Sequence, residues 1–138
     1  MARKHSIAPS HPWWWLLALA FASPETWSAV PEYDVKAALI YKISKFVRWP
    51  EAAFANSGGT LHVCIVGRDD FGASIDALKG QKVQGQLVQV DRVAKPEQPL
   101  NACHIVFVSR SEAGRLPGLV TALSGVPALT ISDLDGFA

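Results

Sequence analysis

Two short apolar runs decide most of what this chain can fold into. Leu61 to Val66 (LHVCIV) and His104 to Ser109 (HIVFVS) are rich in β-branched residues, and Gly67 closes the first. A strand that is apolar at almost every position is buried on both faces, which is the mark of a parallel sheet covered by helices on either side. The segments around the two runs supply such helices. Val35, Leu39, Ile43, Phe46 and Val47 recur at helical spacing, so a helix is expected from about Val35 to Trp49 with this stripe against the sheet. Asp34 is its expected N-cap, Tyr41, Lys42, Lys45 and Arg48 fall on the other side, and Lys36 interrupts the stripe. Trp49 precedes a proline, which disfavours helical backbone at that position. Pro50 then opens a new turn through Phe54, before Asn56-Ser57-Gly58-Gly59 breaks the chain.

Further along, Asp70 is placed to cap a helix reaching about Leu78, with Gly80 beyond its end. Leu87 to Val93 is a second strand, Lys95 to Asn101 a proline-containing loop, Pro117 to Ser124 a short helix, and Ala128 to Ser132 a fourth strand. This alternation predicts an α/β fold, an open and mostly parallel sheet with helices on both faces, in the three-layer Rossmann-like or flavodoxin-like manner. Right-handed crossovers would set the Leu61 and His104 strands side by side near the centre. A chain of 138 residues accommodates one such domain.

The first residues have another character. Arg3 and Lys4 precede Trp13 to Ala22 (WWWLLALAFA), ten apolar residues in a row that end on the A-x-A match Ala20-Phe21-Ala22, with the looser Thr26-Trp27-Ser28-Ala29 after it. A bilayer span needs about 20 apolar residues, so the run suits the core of a secretory signal over residues 1–28, cleaved between Ala22 and Ala29. The alternative is an uncleaved anchor with its tryptophans at the interface; both readings put the domain outside the cytoplasm. Without Arg3, Lys4 and Glu25 the formal charge falls from +1 to zero, which gives no support to nucleic-acid binding.

In an oxidising compartment the two cysteines, Cys64 and Cys103, favour one disulfide. Two alternatives stay open: a metal site with His62 and His104, and buried free thiols. The metal site is disfavoured because the adjacent Cys103 and His104 should point to opposite faces. Asp70-Phe71-Gly72 spells a kinase triplet without the other kinase elements, and the glycines around Gly67 lack dinucleotide-binding spacing. Ser109 or Ser111 with Asp133 and a histidine would make a hydrolytic triad, but no nucleophile elbow is present. Thus no catalytic group, cofactor or metal is expected. What remains is the aromatic corner KFVRWPEAAF. Phe46 is assigned to the core, and Trp49, Phe54, Arg48 and Lys45 are the candidates for contact with a partner.

Several stretches in fixed order resemble the YfiR family. Val35 to Lys42 followed by Lys45-Phe46-Val47-Arg48-Trp49-Pro50 is similar to its opening V-K-A-A-F-L-Y-x-F-x-K-F-V-x-W-P. Leu61 to Phe71, Gly80 to Val90, Cys103 to Glu112 and Leu129 to Phe137 are similar to its strand and G-x-D-x-F turn, its G-K-x-V-x-G-R-x-L-x-V segment, its C-H-[IV]-[LV]-F-[IV]-S-x-S-E run and its L-T-[VI]-S-D-x-x-G-F run. The resemblance implies a periplasmic, dimeric, non-enzymatic domain that represses an inner-membrane diguanylate cyclase through its periplasmic sensor region. An outer-membrane lipoprotein would relieve that repression. Cys64 and Cys103 fall where one family disulfide is expected; a second pair found in some members is missing. The family pattern runs on past G-F-A, so relative to it this chain is expected to be C-terminally truncated, with an open edge on its fourth strand. A second expectation is a periplasmic small-ligand binder using the crevice near Gly67, Ser109 and Ser132.

Overall fold

The computed structural model describes residues 30–95 and 99–137. The expected leader over residues 1–28 and the centre of the 95–101 loop lie outside the described residues. In chain order the elements are α1 (Glu32–Ser44), a 3-10 turn (Glu51–Phe54), β1 (Thr60–Val66), the short α2 (Ala73–Asp76), β2 (Lys82–Val83) and β3 (Gln86–Val93). Then come β4 (Ile105–Val108), a 3-10 stretch (Arg110–Arg115), α3 (Leu116–Leu123) and β5 (Leu129–Ser132). The five strands form one sheet in the order β2-β3-β1-β4-β5, parallel except for β2. β1 and β4 are neighbours at its centre, as right-handed crossovers require, with Val63 opposite Ile105 and Ile65 opposite Phe107.

All four residues of β4 are buried, as are five of the seven in β1, because helices cover both faces of these strands. On one face, Leu61, Val63, Ile65 and Phe107 pack against Ile40 of α1 and Ile75 of α2. On the other, Cys64, Val66, Val106 and Val108 pack against Leu119 of α3. This is the three-layer open α/β sheet expected from the two apolar runs. β5 is an edge strand whose residues are all half-buried.

Several local expectations are corrected. α1 stops at Ser44 and not at Trp49, and it turns Ala37, Ile40 and Ser44 to the sheet while Val35 and Leu39 remain exposed. Small residues at positions 37 and 44 let the helix approach the strands closely, so the larger apolar side chains are left on the outer face. Asp34 is not the N-cap: Pro31 stands there and Asp34 sits within the first turn, where a carboxylate still suits the helix dipole.

Asp70 is not a cap either. Asp69 organises that turn, its Oδ1 accepting from the backbone N–H groups of Phe71 at 2.9 Å and Gly72 at 3.2 Å, while Asp70 accepts from Arg68. Arg92 clamps the turn from β3, donating to Asp69 at 2.7 Å and to Asp76 at 2.9 Å. Strand β2 goes unforeseen: Gln84 and Gly85, with φ of 50° and 84°, make the two-residue hairpin that pairs Val83 with Gln86.

Candidate interaction site

Phe46 is 85% exposed, although its place in the apolar periodicity assigns it to the core. It continues a line along the outer face of α1 through Val35 and Leu39, which are 55% and 54% exposed and one helical turn apart. Between this face and β5 runs a groove of about 380 Å³, whose apolar lining includes Leu39, Ile40, Ile43, Phe107 and Ile131. At the groove's end, Lys36 donates to Asp133 at 2.9 Å and pairs with Glu32 at 2.5 Å, tying α1 to the end of β5. Burial works against the Lys36 charge, but the hydrogen bonds it donates to Glu32 and Asp133 outweigh that cost and hold the ammonium above its ordinary pKa. Lys36 therefore interrupts the stripe because it is an anchor.

The corner that follows is held by a residue the sequence does not single out. Gln84 Nε2 donates to the carbonyl oxygens of Val47 at 2.7 Å and Lys45 at 3.1 Å, satisfying acceptors that the end of α1 leaves open. With the backbone fixed there, Trp49 and the 3-10 turn fold inward over His104. Phe54 stacks on the His104 ring with centroids 4.5 Å apart, and Trp49 meets it edge-on at 6.1 Å. Trp49 and Phe54 are half-buried in consequence, whereas Lys45 and Arg48 are exposed, the Lys45 ammonium lying 4.1 Å from the Tyr41 ring centre. The expected core place of Phe46 is thus corrected: Phe46 is outside, while Trp49 and Phe54 are half-buried over His104.

His104 itself is fully buried at the amino-terminal edge of the parallel strands. Its Nδ1 accepts the backbone N–H of His62 at 3.1 Å, which places the proton of the neutral ring on Nε2. Nε2 has no partner of good hydrogen-bond geometry; the Ala53 backbone on its side offsets the cost only in part. Burial, and secondarily the neighbouring His62, lower the pKa of His104 below its ordinary value of 6.5. His62 is turned to Asp91, with Nδ1 2.5 Å from Oδ2.

The two sulfurs are bonded to each other, Cys64 to Cys103 with Cα atoms 5.9 Å apart, so neither is free to ligate a metal with the histidines. Ser109, Ser111 and Asp133 lie beyond the carboxyl ends of β4 and β5, at the opposite edge of the sheet from His62 and His104, so among the described residues no histidine joins them in the arrangement already set aside. Of the crevice near Gly67, Ser109 and Ser132, the Gly67 side is closed by the chain itself, whereas Ser132 lines the α1–β5 groove. Gly67, at φ 92°, lies so close to the 3-10 stretch that an added Cβ would sit 2.5 Å from Ser111 Oγ and 2.7 Å from Glu112 Cγ. Ser109 is buried, and Ser132 Oγ donates to the Val108 carbonyl at 2.8 Å.

Against protein-family models, residues 33–138 match the family described as YfiR/HmsC-like. The chain belongs to the YfiR/HmsC-like family. A comparison with curated proteins finds no match. In this YfiR/HmsC-like chain, the Val35 to Pro50 motif forms α1 and the corner, Cys103 to Glu112 forms β4 with the start of the 3-10 stretch, and Leu129 to Phe137 begins with β5. Among the described residues, no helix is long and apolar enough to cross a membrane.

Proposed function

We propose that this chain is an exported, non-enzymatic regulator that represses an inner-membrane diguanylate cyclase by binding its periplasmic sensor region, and so tunes cyclic-di-GMP signalling and biofilm behaviour. Family membership supports the regulatory class. The single structural observation that carries the docking mode is the exposed apolar line Val35, Leu39 and Phe46 beside the α1–β5 groove. Isolated surface leucines are ordinary, but an aligned set ending on an almost fully exposed phenylalanine suits a partner surface. Lys45 and Arg48 flank Phe46 in the chain, so the sensor region that fits here presents apolar side chains rimmed by carboxylates. In this reading an outer-membrane lipoprotein that captures the chain competes for it and relieves repression, and the working unit is a homodimer.

The reading is tested by deleting the gene and measuring intracellular cyclic-di-GMP, then restoring it with the native chain or with Phe46→Asp. Expected is a rise on deletion, reversal by the native chain and failure of the variant despite equal export. No rise on deletion would refute the repressor role, and full rescue by Phe46→Asp would refute the surface.

A further inference from the structure

The Trp49 to Phe54 corner rests on His104 as well as on the apolar core, and the two ring nitrogens of His104 are unequally provided for. Nδ1 is committed as an acceptor of the His62 backbone N–H, and Nε2 is already the proton-bearing atom, facing the Ala53 backbone without a good partner. A second proton has only Nδ1 to bind. It takes the lone pair that His62 N–H now uses, so that two N–H donors face each other and the His62 hydrogen bond breaks. The ring then carries a positive charge at a site with no access to water.

The packed elements offer little to offset that charge. β1 contributes His62, itself titratable, with ring centroids 6.2 Å apart. The Asp91 carboxylate of β3 is engaged by His62 at 2.5 Å. The 3-10 turn contributes Ala53 and Phe54, its Glu51 and the neighbouring Arg48 being exposed, and β5 contributes the backbone N–H of Leu129 to the His104 carbonyl at 2.8 Å. The movable part of this cage is the corner. It is held by the packing of Trp49, Ala53 and Phe54 and by one polar tie, the Trp49 indole hydrogen bond to the His104 carbonyl at 3.4 Å, while Gln84 holds the Lys45 and Val47 carbonyls just before it. The strands beneath are held by the central ladder and by the disulfide.

We propose that the Trp49 to Phe54 corner is an acid-released latch: a proton taken up at His104 Nδ1 expels the corner from the ring, brings His104 into water, and exposes Trp49 and Phe54 while the sheet stays folded. An exported protein meets the pH of the surroundings, so the device would add an acid-dependent aromatic surface to the one that α1 always displays. Failure of the latch would leave the docking reading intact, because Phe46 is exposed in the closed form.

Hydrogen exchange of the disulfide-bonded full chain tests this, followed by mass spectrometry at about pH 7.5 and about pH 5 with rates corrected for the intrinsic effect of pH. Coupled to one proton, protection over residues 49–56 should fall about tenfold per pH unit below the ordinary histidine value, with residues 61–66 and 105–108 still protected. The loss should vanish in His104→Gln and persist in His62→Asn. Should His104→Gln not fold, the titration of the His104 ring by NMR in the native chain must coincide with the midpoint of the corner's opening. Unchanged protection, simultaneous loss across the strands, a pH response that follows His62, or a ring midpoint that does not coincide would each overturn the proposal.

Discussion

Removing the Cys64–Cys103 bridge by substituting both residues with alanine should cost more than any single surface change in this chain. The bridge closes a loop with a sequence separation of 39, enclosing α2, β2 and β3. On the chain-entropy model, a loop of this length removes about 4 kcal/mol of unfolded-state freedom at room temperature. Both cysteines are buried on the α3 face against Val66, Val106 and Leu119, so alanine also leaves two small voids, at about 1 kcal/mol each. The total, about 6 kcal/mol, is comparable with the whole stability of many domains of this size.

Equilibrium urea unfolding followed by far-ultraviolet circular dichroism is the direct assay. With an m-value of roughly 1.5 to 2 kcal/mol/M, the midpoint should fall by about 3 M or more. The native chain in a strong thiol reductant separates the two contributions, since it loses the loop constraint but keeps the sulfur volume. It should show about two-thirds of the effect. A double variant within about 1 kcal/mol of the native chain would refute the reasoning, because neither loop closure nor buried packing could then be what the bridge supplies.

Trp49→Ala and Phe46→Ala should differ sharply in melting experiments. The first opens the half-buried cover of His104 at about 2 to 3 kcal/mol, and the second removes an exposed ring at less than about 0.5 kcal/mol. Gly67→Ala should destabilise by about 2 kcal/mol or more, since it combines a φ of 92° with a Cβ 2.5 Å from Ser111 Oγ. Stability should also fall with acid. His104 has its folded pKa below 6.5, so its contribution is complete above that pH, where neither state binds the proton, and declines as pH drops toward the folded value. The slope approaches about 1.4 kcal/mol per pH unit, and urea titrations at a series of pH values would show it.

The sheet was largely readable because its signal is composition in short runs. β1 and β4 are largely apolar, β3 buries Val88, Val90 and Val93 in partial alternation, and each of the four expected strands lies within one or two residues of expectation. The adjacency of β1 and β4 follows from crossover handedness. α1 was legible as a helix but not in orientation. Its periodicity is strongest on the side of Val35, Leu39 and Phe46, whereas the chain packs its small residues Ala37 and Ser44 inward. Periodicity weighs side-chain size, while the distance of approach between helix and sheet rewards the lack of it. The β2–β3 hairpin escaped notice because glutamine rarely takes the left-handed backbone that Gln84 adopts. The His104 cage joins residues about 40 to 55 positions apart, and no local pattern announces such a meeting.

A chain that acts by contact through the outer face of α1 must bind its partner with that face and fold without it. Binding of the purified, disulfide-bonded chain to the periplasmic sensor region of the candidate cyclase, measured by calorimetry for the native protein and for Phe46→Asp, addresses this directly. The expected result is saturable binding by the native chain and at least about tenfold weaker binding by the variant, at an unchanged melting temperature. Equal affinity of the two proteins, or no binding by either, would contradict it.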